Sequence, residues 1–160
     1  MLAWDEVRQD FEPDGALRDI YVLAADSAAW DRALAFLLSE GTARYTVDGV
    51  ALPLPKTAKE ALSLRPDSSP LLHVERDGIE YACHFFTADE IELDFLPAHV
   101  AGPGPFEGLL RFIVGLGRST GRDVLVTHEN YLEAPILRYV AATGDVEHAS
   151  PIGRRTGGSS

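Results

Sequence analysis

Two histidines and four of the seven carboxylates from His73 to Asp94 are spaced so that they can gather on one side of a sheet. They are His73, Glu75, Glu80, His84, Glu92 and Asp94. Imidazole and carboxylate side chains together can ligate a divalent metal, exchange protons with a substrate, or offer charge to a partner. Which of these applies depends on strand register, so the elements that carry the six residues come first.

The stretch LLHVERDGIEYACHFF contains Asp77-Gly78, a pair suited to the positive φ angles of a two-residue type I′ turn. That turn pairs Arg76 with Ile79, Glu75 with Glu80, Val74 with Tyr81, His73 with Ala82 and Leu72 with Cys83. Leu72, Val74, Ile79, Tyr81, Cys83 and Phe85 then share an apolar side, and His73, Glu75, Glu80 and His84 share the other. In EIELDF, Ile91, Leu93 and Phe95 must join the apolar side, which sets His84 opposite Glu92 and Ala82 opposite Asp94. Asp89 and Glu90 are read as the connecting turn. Glu75 directly across from Glu80 is a repulsive pair, and Arg76, Lys59, a metal or a basic partner could relieve it.

Each chemical reading has a plainer competitor. Diagonal neighbours on adjacent strands are roughly 7–8 Å apart, so His73 and His84 could converge on one ion, but no compact H-E-x-x-H spacing occurs. Glu92 and Asp94 could act as acid and base, although an exposed sheet face offers no pocket to separate their pKa values. Gly117-Arg118-Ser119-Thr120-Gly121 matches G-x-S-x-G, yet it follows a helix, whereas a nucleophile elbow precedes one. His128-Glu129-Asn130 lies just past a strand, where loops carry function. His99 and His148 are read as isolated and solvent-facing.

The remaining segments supply cover. Trp4, Val7 and Phe11 predict a short amphipathic helix before the break at Pro13-Asp14-Gly15. LRDIYVLAA is apolar on both parities from Ile20 to Ala24 and reads as a central strand. A helix capped at Asp26 or Ser27 runs to about Glu40, with Trp30, Ala33, Leu34 and Leu37 in one stripe and Gly41 as its stop. RYTV and VAL flank the turn Asp48-Gly49, and Thr57 with Glu60 suggests a capping box for a short helix. A second main helix spans Pro105 to about Thr120, followed by strands at DVLVT and ILRYV.

A length of 160 residues supports one domain, assigned to residues 1–150, with 151–160 as a flexible C-terminal tail rich in glycine and serine. Twenty-five acidic against 14 basic residues give a formal charge of -11, which disfavours nucleic acid and favours a basic protein partner. Cys83 is the single cysteine, so no intrachain disulfide can form, as suits a reducing compartment. No apolar run is long enough for a membrane span. A cytoplasmic protein without cofactor or metal is expected, and a homodimer is compatible with it.

GALRDIYVL, CHFFTADEIELDFLP and VLVTHENYLEAPILRY together resemble a family of small acidic bacterial proteins that has a His-Phe-Phe segment followed by an acidic strand ending near proline. No catalytic set is established for that family, and its class is similar to toxin-immunity proteins, which bind and block cognate toxins. Where such families often have a second aspartate before the proline, this chain has Phe95-Leu96-Pro97. The resemblance implies a non-enzymatic binding role.

The expected fold is α+β: a mostly antiparallel sheet of about six or seven strands with two main helices on its apolar face. The expected function is an immunity-type inhibitor whose partner-binding residues are His73, Glu75, Glu80, His84, Glu92 and Asp94. The alternative is a small metal-assisted hydrolase using His73, His84 and neighbouring carboxylates.

Overall fold

The computed structural model describes residues 2–149; the expected tail at 151–160 lies outside them. Nine antiparallel strands form one sheet: β1 (Arg18–Leu23), β2 (Thr42–Val47), β3 (Val50–Leu52), β4 (Pro70–Arg76), β5 (Ile79–His84), β6 (Glu90–Phe95), β7 (Val124–His128), β8 (Pro135–Val140) and β9 (Asp145–His148). Their spatial order is β3-β2-β4-β5-β6-β1-β7-β8-β9. The helices are α1 (Trp4–Val7), α2 (Ser27–Ser39), α3 (Ala58–Leu62) and α4 (Pro103–Thr120). None is long and apolar enough to cross a membrane.

The α+β class stands, while the strand count rises from six or seven to nine. Eight of the nine fall on segments read as strands or hairpin arms, so the count of six or seven was low even for those; the one without a counterpart is β9, four residues of polar alternation that periodicity alone does not separate from a loop. Near the start, helical geometry holds only to Val7 and tightens into a 3-10 turn at Arg8–Phe11, which still buries Val7 and Phe11.

Both hairpin registers follow the turn chemistry. Asp48 and Gly49 have φ of 51° and 81°, and Asp77 and Gly78 have 54° and 78°, the left-handed values of a type I′ turn. The resulting pairs, Glu75 with Glu80 and His73 with Ala82, then His84 with Glu92 and Ala82 with Asp94, are those the alternation requires.

Parity then divides the sheet. Ile20, Val22, Leu72, Val74, Tyr81, Cys83, Phe85, Ile91, Leu93 and Val126 enter one continuous core with the stripes of α2 and α4. The Asp26 carboxylate caps α2 by accepting from the Ala29 amide at 2.8 Å. Gly121 closes α4 in the left-handed conformation. Within α4, Gly115 faces the Phe36 ring and Gly117 the Tyr139 ring, with no room for a methyl group at either position. These close approaches let one long helix press against both α2 and β8. The Gly-x-Ser-x-Gly match is the last turn of this helix.

Candidate functional site: the face of the sheet away from the helices

Tyr21 and Leu125 are buried, yet neither belongs to the helix-covered core. They lie on the opposite face, the one that carries the sequence-predicted polar residues. Pairing aligns this face into a transverse row: His84 beside Glu92, Glu92 beside Tyr21, Tyr21 beside Leu125, Leu125 beside Arg138, and Arg138 beside Glu147. The next row sets Ala82 beside Asp94, Asp94 beside Asp19, and Asp19 beside Thr127.

All six predicted residues lie on this face, in two separate groups. In the outer group, Glu80 Oε1 is 3.6 Å from Arg44 Nη2 and 3.3 Å from His73 Nδ1, the latter without the alignment of a hydrogen bond. A depression of about 150 Å³ here is lined by Thr42, Arg44, His73, Glu75 and Glu80 among others. The cation that relieves the Glu75/Glu80 pair is therefore Arg44, from the adjacent strand, and not Arg76 or Lys59. Arg76 instead donates from Nε to the Glu40 carbonyl and lays its guanidinium over the Phe36 ring at 4.3 Å, closing the end of α2.

The inner group is denser. His84 Nε2 donates to Asp94 Oδ2 at 2.7 Å; an ionised carboxylate only accepts, so Nε2 carries the proton. The His84 ring also stacks on Phe86. Asp19 Oδ2 accepts from the Tyr21 hydroxyl at 3.1 Å and from the Asn130 amide at 2.9 Å. Burial raises the Asp19 pKa; its two hydrogen bonds oppose this, and Asp94 and Glu129 add to the rise. Burial also raises Glu92, followed by repulsion from Asp19, with His84 partly offsetting it and Glu90 and Asp94 adding to it. Burial likewise pushes the Tyr21 hydroxyl up, and Asp19 and Glu92 reinforce it. Asp19 and Glu92, on adjacent strands, thus carry charge at a cost set first by desolvation and then by neighbouring carboxylates.

Several participants were missed or misplaced in the sequence reading. Glu90 is the first residue of β6, paired with Leu23, and its parity returns it to the polar face from the turn where it was expected. Asp19 and Tyr21 were hidden because β1 reads as apolar on both sides; the period-two spacing Asp19, Tyr21 was the available signal. Asn130 serves the site through its backbone, at φ 63°, and Glu129 accepts from the Leu17 amide at 2.8 Å. His99 and His148 are not isolated. His99 Nδ1 accepts from the Glu80 amide at 3.3 Å. His148 Nε2 lies 3.2 Å from Asp10 Oδ2, and His128 Nε2 lies 3.2 Å from Asp10 Oδ1. Asp10 is 1% exposed, so two imidazoles from β7 and β9 clamp a buried carboxylate of the 3-10 turn. Arg18 Nε donates to the carbonyl of the same residue at 2.8 Å.

For metal binding, His73 and His84 are held by different carboxylates, Glu80 and Asp94. Among the described residues no three His, Cys, Asp or Glu side chains are placed to hold one ion. Cys83 is wholly buried, and burial pushes its thiol up, away from the reactive thiolate.

Comparison of the chain with protein-family models, with curated proteins and with solved structures finds no match.

Proposed function

We propose that the chain is a non-enzymatic protein-binding module, most concretely an immunity-type inhibitor that neutralises a basic toxin through the polar face of its sheet. The observation that carries this reading is the crowding of Asp19, Glu90, Glu92 and Asp94 on that face, with Asp19 and Glu92 raised by burial and by neighbouring carboxylates. A cationic side chain docking there would lower the free energy of each carboxylate, because an opposite charge offsets both penalties. Glu75 and Glu80 extend the negative field toward β2, and His84 orients Asp94 through their hydrogen bond. Such a surface acts first on encounter, by steering an oppositely charged partner, and on specificity by rejecting acidic ones.

The test is association kinetics with the cognate basic protein across ionic strength. The association rate is expected to fall steeply with salt. Glu80→Lys combined with Glu92→Lys should slow it by about 10-fold or more at low salt. A rate indifferent to both salt and the double substitution would remove the reading.

A further inference from the structure

We infer that the basic partner lays a helix across the end of β5, the start of β6 and the end of β1, seating one apolar side chain on Phe86, a basic one on Glu90 and a second apolar one on Leu23. The inference rests on the reading above, that this face takes a basic protein, and names the element by which that protein is held.

Phe86 and Leu23 are large apolar side chains open to solvent beside the acids, 45% and 40% exposed. Leu23 is the cross-strand partner of Glu90, the first residue of β6. Phe86 follows His84 by two residues and stacks its ring on that imidazole, with 4.9 Å between centroids. His84 pairs with Glu92, and Glu90 precedes Glu92 by two residues, so Phe86 and Glu90 stand at matching levels of their chains. The three residues thus form a line across the sheet: an aromatic ring, a carboxylate and an aliphatic side chain.

Each end of the line can receive an apolar group. The Phe86 ring is held between the His84 imidazole and the Arg65 guanidinium, which lies 4.7 Å from its centroid. Arg65 is kept in place by donating from Nε to the Phe85 carbonyl at 3.2 Å. A ring already ordered loses little further freedom on binding, so its open edge is an anchor of low entropic cost. Leu23 lines a depression of about 310 Å³ with Ala24, Leu125 and Ala141 among others. Arg122 and Arg138 also line it, on the side away from β6, which confines an incoming cation to the Glu90 end.

Spacing selects the helix. Phe86 and Leu23 lie two strand spacings apart, roughly 9–10 Å. A helix presents side chains on one face at i and i+7, about 10.5 Å apart, with i+3 or i+4 between them. An extended strand offers about 7 or 14 Å on one side and fits less well. Charge selects the middle residue: Glu90 and Glu92 share one side of β6 in a chain of formal charge -11, so a lysine or arginine is attracted there and an acid is repelled.

The test uses two labelled synthetic helical peptides, titrated with the full chain and read by fluorescence anisotropy at low salt. In the first, two leucines stand seven residues apart with an arginine midway on the same face. The second has the same composition, with both leucines moved to the face opposite the arginine. The first is expected to bind about 10-fold tighter or more. Phe86→Ala and Leu23→Ala should each weaken the first peptide by about 5-fold or more and leave the second unchanged. Glu90→Gln, which keeps the side-chain shape, should weaken the first by a similar factor. Circular dichroism and thermal melting of each variant keep a folding defect apart from a docking defect.

Equal affinity for the two peptides, or undiminished binding in Phe86→Ala and Leu23→Ala, overturns the inference. If that shared binding still weakens with salt and in Glu92→Lys, the reading of a basic partner stands without it. If neither peptide binds at high micromolar concentration, both fall.

Discussion

His84 Nε2 and Asp94 Oδ2 lie 2.7 Å apart, linking neighbouring strands diagonally on the face that the helices leave uncovered. Both side chains are less than one quarter exposed, so the bond is worth more than a surface ion pair. His84→Ala is expected to lower unfolding free energy by about 1–2 kcal/mol, because a partly buried acid loses its donor. In an Asp94→Asn background the same substitution should have little effect. Urea unfolding of the four proteins gives the coupling directly.

Glu92 supplies a dependence on pH. Its folded-state pKa lies above the ordinary 4.5 through burial first and Asp19 second. The folded chain therefore holds this proton more tightly than the unfolded chain. The resulting stabilisation is fully present below the ordinary carboxylate value and is lost as pH rises through the raised one. Glu92→Gln should be more stable than the parent at neutral pH, with the difference closing on acidification to the ordinary value. Urea midpoints measured across that range check the sign.

Asp10 is the buried carboxylate on which the 3-10 turn, β7 and β9 converge. Asp10→Ala leaves two imidazole donors without their acceptor and is expected to lower stability by about 3 kcal/mol. His148→Phe should reduce it less, since the bond from His128 remains. Amide exchange resolved by residue should show β9 losing protection before the β4–β5 hairpin.

Gly117→Ala improves intrinsic helix propensity by up to about 1 kcal/mol, yet a methyl group there meets the Tyr139 ring. Overpacking should prevail, with a net loss of about 1–2 kcal/mol. Calorimetry of Gly117→Ala beside Gly104→Ala, where nothing lies within 4 Å of the added carbon, separates the two effects; Gly104→Ala should not destabilise.

Local rules made the β4–β6 meander legible in the sequence. Asp77-Gly78 imposed one register, and the alternation of Ile91, Leu93 and Phe95 imposed the next, so the hairpin pairs from Leu72–Cys83 to Arg76–Ile79 and the pairs His84–Glu92 and Ala82–Asp94 recur in the structure. Strand order was not legible, because no local signal says that β1 lies between β6 and β7. That placement brings Asp19 and Tyr21 beside Asp94 and Glu92, and therefore the dense half of the site depended on it. The donor for Glu80 was missed for the same reason: β2 pairs with β4 by a long-range choice, which sets Arg44 beside His73. Asp10 was obscured by the period of its own turn, since a 3-10 segment does not keep the helical stripe that its neighbours suggested.

The central position of β1 also bears on how the chain reaches its native state. Among the described residues β6 and β7 are not sheet partners, and the sheet order joins β2–β6 to β7–β9 by way of β1. Leu17, beside it, bonds to Glu129 across 112 residues. Such a topology has high contact order: the first strand made must wait for partners from both halves of the chain. Folding should therefore be slow for the molecule's size. Substitutions in β1 that weaken its pairing should act on the folding rate as strongly as on stability, as for the last-fitted stone of an arch.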